Sequence, residues 1–300
     1  MRRLAVALAF VAGCSKPPPP PPAPTPVSRA IEYLVSRQKD GLWKSEHHPT
    51  LGSGQALTPF VLYALSHARP EELAPHRKAI DAALDRLPVA GNEYPTYSLA
   101  LSIIALKRLR PGSDVSSHAR ELRSKQLTEA LGWTPDDPEY GGWDEGVIPA
   151  RKPQAQRPNV SVTAFAVEAL GPDEKSRRFA LRCRVPGGLS LFTPSATWAH
   201  QNKGGPAAGY PSASCDGQRI VGDDLPATAL GVRLPPEWEE ALFFYRAFAE
   251  AKVRPSPAVA SRVAGLQRAD GSFANASALM KEDDPLVATG LALVALALCR

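Results

Sequence analysis

Two kinds of apolar pattern alternate along the chain from about residue 27 to residue 300. In the first kind, apolar residues recur on one helical face only, at about 27–37, 72–86, 114–126, 173–184 and 256–267. The second kind is apolar on nearly every side and rich in alanine, at about 55–68, 95–109, 159–170 and 284–298. A helix that is apolar on every side must be buried on every side, so the alternation predicts an inner and an outer layer of helices.

Weaker patterns complete this arrangement. Two further inner helices are predicted at about 212–222 and 236–252, with a short outer helix near 225–233 between them. The alternation of apolar and polar residues that a strand needs is nearly absent. The sequence therefore predicts an all-α domain over residues 27–300 with about six pairs of inner and outer helices. Small residues on the inner helices, such as Ala164, Ala166 and Ala292, favour an axis filled by side chains.

Glutamine, glycine and an aromatic residue recur where an outer helix ends. The three copies are Gln38-Lys39-Asp40-Gly41-Leu42-Trp43, Gln126 through Gly132-Trp133 followed by Tyr140-Gly141-Gly142-Trp143, and Gln267-Arg268-Ala269-Asp270-Gly271-Ser272-Phe273. Asp-Gly permits a tight turn, the glutamine amide can bond backbone groups left open at helix ends, and the ring fills the seam between helix pairs. We therefore expect structural roles for Gln38, Gly41, Gln126, Trp133, Gln267, Gly271 and Phe273. The corresponding segment 183–188 lacks the glutamine and the ring, so that seam should be weaker or rebuilt.

These copies resemble the glutamine–tryptophan repeats of the prenyltransferase and squalene-cyclase superfamily. The segments that begin at Ser161, Ser212 and Asp283 resemble the starts of inner helices in its single-barrel branch, which is similar to the C-terminal part of squalene-hopene cyclases. The resemblance implies an α/α toroid of about six helix pairs. It implies no single activity, because one fold can host many functions.

The connections between helices have unequal lengths. Those that lead from an outer helix to the next inner one are long, and those in the other direction are short. In a toroid the long loops gather on one face, at the N-terminal ends of the inner helices, where free amides favour an anionic group. We predict candidate binding residues on this face: Trp43, His47, His48, Asp137, Trp143, Asp144 and His200. The alternative is that these loops only pack as a lid.

Acidic residues offer little support for a cyclase. Class II terpene cyclases protonate an alkene with a D-x-D-D motif, which the sequence lacks. Asp136-Asp137 is the best acid candidate because it lies in a long loop. Asp284 is more simply a helix cap, and Asp223-Asp224 falls on the opposite face.

Possible zinc ligands are present, as a protein prenyltransferase would need. They are His47, His48, His200, Cys215 and Asp216, but none has diagnostic spacing. The sequence therefore predicts no catalytic residue, no metal and no cofactor. A divergent enzyme similar to a terpenoid cyclase or a prenyltransferase stays open as an alternative, as does a purely structural scaffold.

The N-terminus has the layout of an export signal. Two arginines and an apolar run precede Val11-Ala12-Gly13-Cys14, which resembles a bacterial lipobox. The resemblance implies a signal peptide over residues 1–13, removed before a lipid is attached to Cys14. Residues 14–26 would form a proline-rich linker, of which 17–26 extends about 30 Å at ~3.1 Å per residue. Ser15 follows the cysteine, which in enteric lipoproteins favours the outer membrane over the inner one.

Charge and cysteines narrow the choice of function. The net charge is +5, of which Arg2 and Arg3 contribute two, so that the remainder carries +3 and nothing suggests nucleic acid as a partner. Cys183 and Cys215 could form a disulfide in an oxidising compartment, or stay free.

We expect a lipid-anchored protein of the bacterial cell envelope. Its toroid would bind an isoprenoid or other lipid, a glycan or an envelope protein without catalysis.

Overall fold

Six apolar helices form a closed inner ring in the computed structural model, which describes residues 23–88, 93–146, 151–152, 157–194 and 211–300. These inner helices are α2 (Leu57–Leu65), α5 (Pro95–Leu109), α7 (Val160–Leu170), α9 (Pro211–Val221), α12 (Phe243–Val253) and α14 (Pro285–Leu298). Each packs on the next, and α14 returns to pack on α2. At this closure Phe60 covers Gly290, where a Cβ atom would lie 2.4 Å from the ring. A glycine inside the last helix is thus required by the packing that closes the ring.

Outer helices surround the ring. They are α1 (Pro26–Ser36), α4 (Arg77–Leu84), α6 (Ser116–Ser124), α8 (Glu174–Arg182), α10 (Ala227–Leu230) and α13 (Pro257–Ala264). Each packs on one or two inner helices, for example α1 on α14 and α4 on α2. Ala164 and Leu293 on the inner helices are fully buried. The all-α prediction and its two layers are confirmed, and the described residues contain isolated β-bridges but no strand.

Two predicted helices are broken in the structure. The segment predicted at 72–86 becomes the short α3 (Pro70–Leu73), a 3₁₀ turn and α4, because Pro75 removes a backbone donor. The segment predicted at 236–252 becomes α11 (Pro236–Ala241) and α12, separated by Leu242 at φ −113° and ψ 17°. Here the carboxylate of Glu282 accepts hydrogen bonds from the first amides of α12, so the helix begins anew at this point.

The repeated glycines allow neighbouring outer helices to approach. Gly41 lies against α4, Gly141 against α8, and Gly271 against α1, each at a φ between 78° and 88°. An added Cβ atom would lie 2.7 Å from the Ala82 carbonyl oxygen at the first site and 2.0 Å from that of Lys175 at the second. Each turn therefore docks on the next outer helix, and the last turn docks on the first helix.

The glutamines reinforce the same contacts. The amide Nε2 of Gln38 donates to the carbonyl oxygen of Ala79 in α4 at 2.9 Å. Gln126 donates to Asp173, which caps α8, and Gln267 donates to the carbonyl oxygen of Pro26 at the start of α1 at 2.8 Å. All three side chains thus bridge one helix pair to the next.

Each seam also holds a buried ring. Trp43 donates its indole Nε1–H to Leu34 at 2.6 Å, and Trp143 donates to Leu122 at 2.8 Å, both within the preceding outer helix. The backbone N–H groups of Trp43, Trp143 and Phe273 each donate to a threonine hydroxyl near the start of the following inner helix. Trp143, rather than the predicted Trp133, is therefore the counterpart of Trp43.

Trp133 instead packs with Leu127 and Tyr140 in a small cluster of the long loop. The ammonium group of Lys152 lies 5.0 Å from the centre of its indole ring. The loop between Gln126 and Gly141 is longer than in the other two copies, and this insertion explains why spacing from the glutamine selected the wrong tryptophan.

The seam after α8 is rebuilt. Gly188 approaches Pro226 just before α10, where a Cβ atom would lie 2.8 Å from the proline ring. Ser190 donates its backbone N–H to the hydroxyl of Ser214 in α9 at 2.9 Å, as the backbone N–H groups of the aromatic residues in the other seams do to threonine. The glycine contact and the hydroxyl contact therefore persist where the glutamine and the ring are lost.

The glycine contacts predict a difference between two alanine substitutions. Gly141→Ala combines a φ of 88° with a 2.0 Å clash against backbone, whereas Gly112→Ala has a φ of 90° and open space around it. We expect Gly112→Ala to lower the free energy of unfolding by about 1 kcal/mol and Gly141→Ala by at least about 3 kcal/mol. Urea denaturation followed by circular dichroism measures both. An equal loss of the free energy of unfolding in the two variants would contradict the close approach of Gly141 to α8.

Candidate functional site

A cavity of about 430 Å³ occupies the ring at the N-terminal ends of the inner helices. All six inner helices contribute to its wall, mostly with aliphatic and aromatic side chains. The aromatic residues are Phe60, Tyr94, Tyr97, Phe165, Phe192, Trp238 and Tyr245. The polar ones are Glu145, Ser161, Asp216, Lys281 and Glu282. The cavity lies at the end of the ring where the long loops meet, and its volume is within the range of small-molecule sites.

Packed rings hold the floor of the cavity. Phe165 from α7 stacks on Phe248 from α12 with ring centres 5.8 Å apart. The ring centre of Tyr97 lies 5.7 Å from that of Phe165, and the ring centre of Tyr245 lies 5.6 Å from that of Phe248. Neither tyrosine ring is parallel to its neighbour. Because three inner helices supply these rings, the shape of the floor depends on closure of the ring.

Asp216 is fully buried on this floor. One carboxylate oxygen accepts a hydrogen bond from Arg219 at 2.8 Å, and the other accepts one from the hydroxyl of Tyr245 at 2.7 Å. Burial raises the pKa of Asp216 to about 6, although Arg219 and Tyr245 oppose that rise. The carboxylate is therefore ionised above pH 7 and has a partner on each oxygen.

A chain of hydroxyl groups extends from Asp216 across the floor. Tyr97 donates to Ser161 at 2.9 Å, and the hydroxyl of Ser161 is hydrogen-bonded to that of Tyr245. Tyr245 in turn donates to Asp216. Four residues from four different inner helices thus form one polar line in a largely apolar wall.

Charged groups close the axis below this floor. Glu168 accepts from Arg219 at 2.6 Å and from Lys252 at 2.8 Å, and Arg108 also pairs with it. Burial acts to raise the pKa of Glu168, but Arg219 and Lys252 outweigh it and hold the pKa at about 2. Arg219 also lies 5.1 Å from the centre of the Phe165 ring. The prediction of a filled axis holds for this half of the ring only, since the other half contains the cavity.

Two strained residues meet at the wall near the loops. Tyr94 and Lys281 have φ angles of 44° and 63°, in a region that residues with a Cβ atom rarely adopt. The Lys281 ammonium lies 5.6 Å from the centre of the Tyr94 ring. Strain of this kind often accompanies a binding site, because the surrounding structure must hold it in place.

Glu282 fixes the break between α11 and α12. Its carboxylate accepts from the backbone N–H groups of Phe244 and Tyr245 at 2.8 Å and 2.7 Å, and from the Asn275 amide at 2.9 Å. Burial nevertheless raises the pKa of Glu282 to about 8. This carboxyl therefore positions Tyr245, and with it one end of the hydroxyl chain.

The cavity wall does not include the residues predicted from the loops. Trp43 and Trp143 are buried in seams, where their indoles bond the preceding outer helix. His48 lies 2.8 Å from Asp283 in a half-buried contact outside the cavity. His47 lines a separate pocket of about 570 Å³ between the first and last helix pairs.

The remaining predicted residues have local structural contacts. Asp137 pairs with Lys152 at 2.6 Å. Asp144 accepts from the Gly146 amide at 2.8 Å, and burial raises its pKa. His200 lies outside the described residues, as does Cys14.

The aspartate pairs also have local partners. Asp284 accepts from the first amides of α14, so its prediction as a helix cap is confirmed. Asp223 pairs with Arg184.

The sequence indicated Asp216 only as a possible zinc ligand and Ser161 only as the start of an inner helix, and it did not predict that they would meet on the floor. Asp216 and Ser161 stand in segments that were assigned correctly to inner helices. An acidic residue within a helix that is buried on every side is itself a signal, because a buried charge requires partners. Tyr97 and Tyr245 carried no comparable signal, since tyrosine is common in any core.

The cysteines and possible metal ligands are dispersed. Cys183, Cys215 and Cys299 are free and buried, and burial raises the pKa of the Cys215 thiol. Within the described ranges, no group of three or more histidine, cysteine, aspartate or glutamate residues could hold a metal ion. No helix among those residues is both apolar enough and long enough to cross a bilayer.

Comparisons with known proteins give limited further information. No protein-family profile matches the chain, and no curated protein matches its sequence. Among solved structures, the fold is similar to that of the apo type II terpene cyclase MstE from Scytonema. The two share 11% sequence identity, with 91% of this chain and 96% of that one covered and a TM-score of 0.40. A likeness at this level says nothing about what this chain binds or catalyses.

Glu282 should make stability depend on pH. Its pKa is about 8 in the folded protein and near 4.5 in an unfolded chain, so the folded state holds an extra proton between those values. The free energy of unfolding should therefore fall as the pH rises from 5 to 8, by up to about 1.4 kcal/mol per pH unit. Urea denaturation at several pH values should show this fall relative to Glu282→Gln, which cannot ionise there. A constant difference between the two proteins would contradict the assignment.

Proposed function

We propose that this chain is a membrane-tethered binding protein whose toroid holds an apolar small molecule in the central cavity. The observation that carries the proposal is the cavity of about 430 Å³, lined mainly by aromatic and aliphatic side chains of all six inner helices. Such concave, mostly apolar sites with a few polar groups are typical of ligand pockets. An isoprenoid or another lipid fits this lining better than a glycan does.

The state of Asp216 supports binding rather than alkene protonation. A general acid for an alkene must carry a proton that it can direct at the substrate. Both oxygens of Asp216 instead accept hydrogen bonds, one of them from the permanently charged Arg219. This pairing opposes the rise of the pKa of Asp216 to about 6, so above pH 7 the group is a carboxylate and carries no proton to give to an alkene.

A cyclase-like enzyme is the second candidate. It is favoured by one observation, the carboxyl of Asp216 on the floor of an aromatic-lined cavity. Incubation with linear polyprenyl substrates followed by mass spectrometry distinguishes the two functions. A cyclised product that disappears in Asp216→Asn would establish the enzyme, whereas recovery of bound but unchanged substrate supports a binding protein.

The tether is proposed from the N-terminal sequence. Cys14 follows a lipobox-like run, and residues 17–26 contain eight prolines in ten positions. Because Pro26 already begins α1, the arm would consist of residues 17–25, and the polyproline II conformation that such a composition favours would make it about 28 Å long at ~3.1 Å per residue. The proposed location is the bacterial cell envelope, with the outer membrane favoured over the inner one.

A tryptophan placed in the cavity wall should compete with the ligand. Val287 lies in the first turn of α14 and lines the cavity, so the indole of Val287→Trp would project into the space that a ligand needs. We expect binding of the uncharged probe N-phenyl-1-naphthylamine to weaken at least about tenfold, which corresponds to ~1.4 kcal/mol. Fluorescence titration measures the dissociation constant.

Leu266→Trp is the matched control because Leu266 is 50% exposed and lies outside the cavity. It adds the same indole and should leave probe binding unchanged. Equal binding by Val287→Trp and the parent protein, with both folded, would place the probe elsewhere and contradict the proposed site.

Replacement of Cys14 tests the tether. The protein with Cys14→Ser should lose the mass of its acyl chains and leave the membrane fraction, since the proposed anchor is the lipid on this cysteine. Intact-mass spectrometry and fractionation of cells measure the two effects. Ser15→Ala is the control and should stay lipidated. Unchanged membrane association of Cys14→Ser would refute the lipid anchor.

A further inference from the structure

We propose that the ligand of the central cavity carries an uncharged hydroxyl group, which donates a hydrogen bond to the phenolic oxygen of Tyr97. This inference rests on the proposed function and specifies its ligand class as an apolar alcohol. It follows from the direction in which the hydroxyl groups that cross the cavity floor donate their hydrogen bonds.

The direction of the chain is set at Asp216. A carboxylate can only accept, and Asp216 takes one hydrogen bond from Arg219 and one from Tyr245. The single proton of the Tyr245 hydroxyl is therefore committed to Asp216. Ser161 must then be the donor in its hydrogen bond with Tyr245. Since the Ser161 proton is used in this way, Tyr97 donates to Ser161, in agreement with their separation of 2.9 Å.

Every hydroxyl proton in the chain is thus committed toward Asp216. The groups that remain available to a ligand are lone pairs, and the chain ends at the oxygen of Tyr97. This residue lines the cavity from the first turn of α5. A polar group of the ligand at this place must be a donor, because another acceptor would face only lone pairs.

The donor is a hydroxyl rather than an ammonium. The surrounding wall is mostly apolar, and a charged amine loses its hydration there at high cost. Below the floor, the three cations Arg219, Lys252 and Arg108 outnumber the two carboxylates of Asp216 and Glu168, so this charge balance disfavours a further cation. An alcohol carries a donor without a charge, so it matches both the wall and the chain.

A matched pair of ligands tests the direction of the bond. Farnesol has a long apolar chain and one hydroxyl, and farnesyl methyl ether has the same chain and oxygen but no proton to donate. Both are titrated at pH 8 as competitors of N-phenyl-1-naphthylamine. The protein is the full chain with Cys14→Ser, so that no acyl chain competes. We expect farnesol to bind about three- to tenfold more tightly than its ether, the range for one hydrogen bond.

Two substitutions should abolish this preference in opposite ways. Tyr97→Phe removes the acceptor, so farnesol should bind more weakly while the ether is unaffected. Ser161→Ala releases the proton of Tyr97, which can then donate to an ether oxygen, so the ether should bind more tightly. In both variants the ratio of the two affinities should approach one. A role of Tyr97 in packing alone would not produce the gain expected in Ser161→Ala.

Tyr140→Phe is the control. Tyr140 is buried in the cluster of the long loop, does not line the cavity, and donates its hydroxyl proton to Glu129, outside the chain. This variant should keep the preference for farnesol, and thermal unfolding checks that each variant is folded. If Tyr97→Phe does not fold, the affinity of Ser161→Ala for the ether is sufficient to test the direction of the hydrogen bond.

The outcomes separate this inference from the proposed function. If both ligands displace the probe with equal affinity in the parent protein, the alcohol proposal is wrong and the apolar binding site stands. A preference that survives Tyr97→Phe, or that is lost in Tyr140→Phe, also overturns the alcohol proposal. Failure of both ligands and of the probe to bind would instead refute the proposed function.

Discussion

Closure of the inner ring is the constraint on which the structure depends. The apolar surface of α14 can be buried only if it returns to α2, and Gly290 makes room for Phe60 at that contact. On the outside, Gly271 docks on α1 in the way that Gly41 docks on α4. The last repeat therefore uses the first helix as its next neighbour, and no inner helix is left with an exposed apolar edge.

A closed ring has two unlike ends, and the chain fills them differently. At the C-terminal ends of the inner helices, Glu168 pairs with the half-buried Arg219 and Lys252 and with the more exposed Arg108, and this network closes the axis. Buried charges are tolerated there because each has a partner of opposite sign. At the N-terminal ends the wall is largely apolar and the axis stays open as a cavity. Asp216 and Arg219 join the two halves, since one faces the hydroxyl chain and the other faces Glu168.

The fold was predictable because it depends on patterns that repeat along the chain. Helices apolar on all sides were assigned to the centre, and the structure places them there. The turn glycines and glutamines were recognised as structural, and their contacts explain why: a glycine permits close approach, and an amide bonds the next helix. The choice of Trp133 over Trp143 was wrong, because an insertion in the loop changes the distance from Gln126 without changing the contact.

The site was much harder to predict. Residues of the long loops were expected to line the site. Trp43 and Trp143 are instead buried in the seams between helix pairs, and Asp144 accepts a hydrogen bond within its own turn. The floor is formed by Tyr97, Ser161, Asp216 and Tyr245, which come from four inner helices far apart in sequence. No local pattern connects such residues, because a hydrogen bond between them exists only after the ring has closed.

The sequence by itself determined the class of fold, the two layers, the repeat turns and the end of the ring at which a cavity would lie, since each follows from periodicity, turn chemistry or loop length. The tertiary structure alone decided that half of the axis is open and which polar groups face it. These properties depend on the distances between side chains of different helices, and those distances are set by packing around the ring.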